Sequence, residues 1–140
     1  MMRPAFNLPV RVYYEDTDAA GVVYYASYLK FIERARTEWL RALGYEQARL
    51  AQESGIAFAV RSLSAEYLKP ARLDDSLNVC TRMLSLGRAQ LVFEQVIQRN
   101  AEILFSANVR VACLDPVRLK ATAIPKVMHE KFKPLIGTQA

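Results

Sequence analysis

The chain has 140 residues, of which 52% are apolar and 24% charged, with a net charge of +5. That is enough chain for one domain with a sizeable core, and the composition excludes a disordered protein. The positive balance favours anionic partners such as phosphorylated cofactors, acidic carrier proteins or a membrane surface. The Lys and Arg residues are scattered rather than clustered, which argues against nucleic acid.

Met1-Met2-Arg3-Pro4-Ala5-Phe6-Asn7 lacks the apolar core of a secretory signal. No apolar run approaches the ~20 residues of a membrane span. A cytoplasmic protein without a membrane span is therefore expected. Val10-Arg11-Val12-Tyr13-Tyr14 alternates as a first strand, with Val10, Val12 and Tyr14 on one face. A polar loop follows from Glu15 to Tyr24. The next segment, from about Ala26 to Leu43, carries Ile32, Ala35, Trp39 and Leu43 at helical spacing, widened by Tyr28 and Leu40. Glu33, Arg34, Arg36, Thr37, Glu38 and Arg41 fill much of the remaining surface, so this is an amphipathic helix. Gly44 stops it. Tyr45 to Glu53 reads as a short second helix ending at Ser54-Gly55.

From there the period changes to that of strands. Ile56 to Leu68 is closed by Lys69-Pro70. Leu77 to Leu86 and Ala89 to Gln98 flank a turn at Gly87-Arg88. Asn100-Ala101-Glu102 turns the chain into Ile103 to Leu114, which ends at Asp115-Pro116, and a short helix is expected from Lys126 to Phe132. Cys80 and Cys113 lie in strands without metal-site spacing and read as reduced, buried thiols. One long helix and a set of strands predict an α+β domain, a single unit over residues 1–140. Its antiparallel sheet would wrap around the helix, and its exposed edges would favour pairing between subunits.

The reactive groups gather between the first strand and the helix, where Glu15, Asp16 and Asp18 precede Gly21. The first N–H groups of a helix have no internal partner and carry the positive end of its dipole. They suit a phosphate, a carboxylate or a developing oxyanion. A neighbouring carboxylate can attack a carbonyl or activate water. Glycine permits the tight turn and close approach of a ligand. An Asp ahead of a helix also serves as a cap or turn residue. A calcium loop would need six to eight oxygens, more than these three side chains supply, and no metal site is expected. His129 is the single histidine and lies in the tail. Gly-x-Ser-x-Gly, Gly-x-Gly-x-x-Gly and the phosphate-binding P-loop are absent from the sequence. If the protein is an enzyme, carboxylate and backbone carry its chemistry.

The segment from Arg11 to Arg36 resembles the 4-hydroxybenzoyl-CoA thioesterase-like branch of the hotdog-fold proteins. The likeness is carried by Val10-Arg11-Val12-Tyr13-Tyr14-Glu15-Asp16-Thr17-Asp18, Gly21-Val22-Val23-Tyr24 and Ala26-Ser27-Tyr28. Phe31-x-Glu33-Arg34-Ala35-Arg36-Thr37-Glu38 extends it to the acyl-CoA thioesterases associated with the Tol-Pal system. Glu66-Tyr67-x-x-Pro70-Ala71-Arg72-Leu73-Asp74-Asp75 and Leu91-Val92-Phe93 fit as well. The resemblance implies a five-stranded antiparallel sheet wrapped around a long helix, assembled as a homodimer or homotetramer with its active site at the dimer interface. It also implies an acyl-CoA thioesterase that needs no cofactor, coenzyme A being part of the substrate. Asp18 matches the catalytic aspartate and Tyr25 the residue whose backbone N–H polarises the carbonyl, while Gly21 matches the glycine of the loop. The Tol-Pal-associated branch commonly has histidine where this chain has Tyr25.

For the phosphates of coenzyme A, Arg88 in the turn Gly87-Arg88 is the first candidate, with Lys69 and Arg72 next. Two other readings stand beside the thioesterase. One is a hydratase or dehydratase of acyl thioesters, which would need a histidine near the motif. The other is a protein that binds acyl-carrier protein or cell-envelope partners and hydrolyses only weakly.

Overall fold

A computed structural model describes residues 5–137. Residues 1–4, part of the stretch read above for a targeting signal, lie outside it. β1 (Phe6–Arg11) leads through a 3-10 turn, Tyr14–Asp16, into the helix α1 (Tyr25–Ala42). A short helix, α2 (Gln47–Arg49), continues as a π-turn over Leu50–Ser54. The strands β2 (Ala57–Tyr67), β3 (Ser76–Leu86), β4 (Gln90–Arg99) and β5 (Glu102–Asp115) follow. A two-residue strand, β6 (Lys120–Ala121), and the helix α3 (Lys126–Phe132) complete the order. The five long strands run in the order β1-β3-β4-β5-β2, all antiparallel, with β6 added beside the end of β5. The sheet thus has six strands rather than the expected five.

The inner face of the sheet takes every second residue of β3, β4 and β5, and these are buried: Val79, Met83, Phe93, Ile97, Val109 and Phe105 among them. α1 lies on that face. Its buried residues include Tyr28, Phe31, Ile32, Ala35, Trp39 and Leu40. Phe31 was absent from the predicted stripe, yet it is fully buried because the curled sheet covers a wider arc of the helix than a flat partner would. Trp39 meets Phe93 edge-on, with ring centres 5.0 Å apart. Gln95, also fully buried, donates to the Ile32 carbonyl and to Thr81 Oγ1, each at 2.9 Å, and accepts from Arg36 at 2.9 Å. This satisfied polar chain fixes the rotation of the helix on the sheet. Gly44, with φ +98°, closes α1 as predicted: its N–H reaches the Arg41 carbonyl and the Tyr45 N–H reaches that of Leu40, the paired bonds of a Schellman stop.

Two expectations change. The first strand starts at Phe6 and ends at Arg11, so Tyr14 does not share a face with Val10 and Val12. The 3-10 turn breaks the alternation and leaves Tyr14 82% exposed. The second helix begins at Gln47, two residues after Tyr45, and its last turn widens to π before Gly55 takes φ +64°. Of the two cysteines, Cys113 is buried and Cys80 half-buried, both free, and burial pushes the Cys113 thiol up to about 11.

Candidate active site

The loop between β1 and α1 is a small hairpin. Thr17 and Val23 form an antiparallel bridge, the Asp18 N–H donates to the Val22 carbonyl at 2.9 Å, and the Gly21 N–H returns to the Asp18 carbonyl at 3.0 Å. Gly21 sits at φ +79° in open space, with nothing within 4 Å of where a Cβ would stand. Glycine is needed here for its backbone angle rather than to make room. The hairpin is tied down on one side, since Val22 bridges to Arg72 and the Val23 N–H donates to the Ala71 carbonyl at 2.8 Å. Tyr24 then takes an extended conformation (φ −63°, ψ 139°) as the N-cap, and α1 begins at Tyr25.

The carboxylates of this loop divide their work. Asp16 is buried; its Oδ2 accepts the Tyr13 N–H at 2.8 Å, and the Lys30 ammonium stands 4.0 Å from its Oδ1. Its backbone carbonyl also takes the Tyr24 N–H at 2.9 Å. Asp16 therefore shapes the loop. Asp18 is exposed at the hairpin tip, where its Oδ1 accepts the Ala20 N–H at 2.8 Å. That is a turn contact, and it leaves Oδ2 without a partner among the described residues. Glu15 is exposed too, and no group of three or more His, Cys, Asp or Glu among the described residues could hold a metal.

Tyr24 offers no side-chain cap to the helix, and the N–H groups of Tyr25 and Ala26 have no partner among the described residues. The helix behind them is 18 residues long, so these donors carry the full positive end of its dipole. The end of β2 steadies them: the Tyr67 hydroxyl donates to the Tyr25 carbonyl at 3.0 Å. Burial, followed by the neighbouring Tyr25 and Tyr28, raises the Tyr67 phenol above its ordinary value. Tyr24, Tyr25, Tyr67, Tyr28 and Phe105 form a continuous aromatic cluster around this helix end, with successive ring centres 4.7–6.4 Å apart. The sequence reading left Tyr67 out of the site. Its signals were its place near the end of the strand predicted over Ile56 to Leu68 and in the Glu66-Tyr67-x-x-Pro70 stretch that carries the resemblance.

The predicted basic residues are not gathered together. Arg72 is exposed beside the hairpin through its bridge to Val22, and its guanidinium has no partner among the described residues. Lys69 lies in the same loop but is paired with Glu102 at 2.7 Å. Glu102 also holds Arg99 at 2.9 Å, and Arg99 holds Asp75 at 2.7 Å. This chain anchors both ends of the loop that carries Arg72. Arg88 lies at the far end of the 11-residue β3, roughly 30 Å of strand away from the hairpin. Within one protomer the fold does not bring Arg88 to Asp18. His129 is remote as well, because α3 packs where α1 ends: the Lys131 ammonium reaches the Leu43 carbonyl at 2.7 Å and Phe132 packs on Trp39. A serine–histidine–aspartate relay through Asp18 is thus excluded within one chain.

The thioesterase superfamily model matches residues 20–104 of the chain. The chain is 47% identical over 135 residues to the acyl-CoA thioesterase YbgC of Haemophilus influenzae, covering 96% of this chain and 99% of that one. The chain belongs to the thioesterase superfamily. Another relative, the acyl-CoA thioester hydrolase YbgC of Escherichia coli O6:H1, is 49% identical over 129 residues, covering 91% of this chain and 96% of that protein. A probable thioesterase from Bartonella henselae superposes with a TM-score of 0.81 at 35% identity, over 89% of this chain and 100% of that structure. The sheet curled around α1 is accordingly the hotdog fold of the superfamily. The family match starts two residues beyond Asp18, so the role of that carboxylate rests on the loop geometry.

Proposed function

We propose that the protein hydrolyses acyl-CoA thioesters to a carboxylic acid and free coenzyme A, with Asp18 and the Tyr25 N–H as its reacting centre. The observation that carries this reading is the hairpin, which holds an exposed carboxylate next to the chain segment that opens α1 on two free N–H groups. The thioester oxygen sits on the Tyr25 N–H, and negative charge gathering there is stabilised by the helix dipole. Asp18 either attacks the carbonyl carbon, expelling the thiolate to leave an anhydride that water then cleaves, or takes a proton from water as the water attacks. Both routes consume one water: its oxygen ends in the acid or, where the anhydride opens at the aspartyl carbonyl, in Asp18, and the thiolate leaves as coenzyme A with a proton from that water. Arg72 is the cation best placed for a phosphate near the hairpin. The acyl-CoA relatives favour this substrate class. The test is release of free thiol from a panel of acyl-CoA and acyl-carrier-protein thioesters. Binding of the carrier with negligible turnover on every thioester would replace an enzyme with a docking protein. The same reading places the protein in the cytoplasm, where coenzyme A thioesters are; no helix among the described residues is long and apolar enough to cross a membrane.

The active unit we infer is a dimer, or a tetramer built of dimers. β2 is an edge strand exposed along most of its 11 residues, with Val60 50%, Leu63 41% and Tyr67 47% exposed. A long apolar edge left in water calls for another strand. Beside it, clefts of ≈ 400 Å³ and ≈ 310 Å³ run between α1 and β2, and neither is lined by Asp18 or Tyr25. A second copy paired on β2 would cover this surface and wall the open hairpin. Light scattering at assay concentration should give at least twice the chain mass, and a fully active monomer overturns the inference. Arg88 could then contribute only from another protomer. Arg88→Ala should raise KM severalfold for coenzyme A thioesters and leave truncated pantetheine thioesters unchanged, since only the full cofactor carries the outer phosphates. An equal change for both substrates, or none, removes Arg88 from the site.

A further inference from the structure

The end of the sheet remote from Asp18 carries a loop that the hydrolytic reading does not use. Asp115-Pro116-Val117-Arg118-Leu119-Lys120 joins β5 to β6. Its shape is set from within. Asp115 Oδ1 accepts the N–H groups of Val117 at 2.8 Å and Arg118 at 3.1 Å, and the Leu119 N–H returns to the Asp115 carbonyl at 2.7 Å. These backbone donors, with the Arg118 charge, hold the Asp115 carboxyl below its ordinary value, so it stays ionised and turned into the loop. The side chains that project carry two chemistries in alternation. Val117 is 88% exposed and Leu119 73%. Arg118 and Lys120 are exposed, and neither has an acidic side chain within salt-bridge distance among the described residues.

The fold gains nothing from the two apolar side chains. Leu119 adopts φ +58°, a left-handed conformation better served by Gly or Asn. A leucine there bears backbone strain while its side chain stays mostly in water. Apolar groups and cations presented together on one rigid tip match an anionic bilayer interface. That interface accepts aliphatic side chains among its headgroups and draws Lys and Arg to its phosphates. An acidic protein would answer the cations but not the two largely exposed aliphatic side chains that alternate with them. The overall charge of +5 acts in the same direction.

We propose that the 115–120 loop docks the protein on an anionic membrane surface, with Val117 and Leu119 seated among the headgroups and Arg118 and Lys120 on lipid phosphates. The attachment is peripheral and reversible, and it is independent of the proposed hydrolytic centre. The test is co-sedimentation of the full chain with vesicles of equal parts phosphatidylglycerol and phosphatidylcholine, against phosphatidylcholine alone. The protein should pellet with the anionic vesicles and be released as salt rises. At roughly fivefold per cation, Arg118→Glu with Lys120→Glu should lower partitioning by at least tenfold. Val117→Ser with Leu119→Gly should also weaken it severalfold without lowering the melting temperature, because glycine relieves the left-handed backbone. Both variants should keep the wild-type rate and KM on soluble substrate. The proposal is overturned if the wild-type protein ignores the anionic vesicles, or if either variant binds them as the wild type does. A raised KM for acyl-CoA would assign the cations to substrate, and capture of an acidic carrier without vesicle binding would assign the loop to protein docking; each of these overturns it too.

Discussion

Asp18→Asn should lower kcat by ~10² or more while leaving the fold and the assembly unchanged. The asparagine side chain has nearly the same shape, and its carbonyl oxygen can still accept the Ala20 N–H that Asp18 accepts at 2.8 Å. The hairpin therefore keeps its geometry. What disappears is the basic, nucleophilic oxygen, and loss of a positioned general base costs typically 10²–10⁴-fold. Asp16→Asn is the matched comparison. That residue is buried and serves the Tyr13 N–H, a bond an amide oxygen can also accept. Its substitution should register in thermal stability, through the lost charge opposite Lys30, more than in kcat. Circular dichroism, melting curves and thiol-release rates on the three proteins separate the two roles. A rate loss under about tenfold for folded Asp18→Asn removes this carboxylate from the chemistry.

Tyr25→Pro should cost at least ~10² in kcat, the worth of one oxyanion donor, while Tyr25→Phe should stay within about tenfold of the parent. Proline deletes the N–H and keeps the carbonyl to which Tyr67 donates. The position is unusually suited to it. Tyr25 is the first residue of α1, where proline is tolerated, and Tyr24 already has the extended backbone (φ −63°, ψ 139°) that a following proline demands. Tyr25→Ala is included to subtract the loss of the ring, which packs on Tyr24 and Tyr67. A folded, oligomeric Tyr25→Pro protein with near-normal turnover would rule out the backbone oxyanion site. A dead Tyr25→Phe protein would instead give the chemistry to the phenol hydroxyl.

Much of this protein is written locally. The helical spacing of Ile32, Ala35 and Trp39, with Gly44 after them, marks α1 to within a residue at each end, because a glycine in the left-handed region is what a Schellman stop requires. Gly87-Arg88 and Asn100-Ala101 mark two hairpin turns, and Asn100 does take φ +57°. The Lys126–Phe132 helix is likewise found where its pattern lies. The loop chemistry is legible as well, since one short segment holds the carboxylates, a glycine and the helix start on which the proposed base and oxyanion donor rest.

Tertiary structure decides which group does what. Three carboxylates within four residues are equivalent in composition. Asp16 becomes a structural residue because the 3-10 turn aims it at the Tyr13 N–H beneath Lys30, and Asp18 is left in water at the hairpin tip. The same turn ends the alternation that would have buried Tyr14. The basic residues are sorted by strand order. Arg72 reaches the hairpin because its loop bridges Val22, whereas Arg88 is carried away along β3, which lies between β1 and β4. Tyr67 joins the site from the end of β2, 42 positions from the carbonyl it binds. Periodicity sets which face a residue occupies, but strand order and register set which distant residues meet, and those follow from how the whole sheet closes around α1.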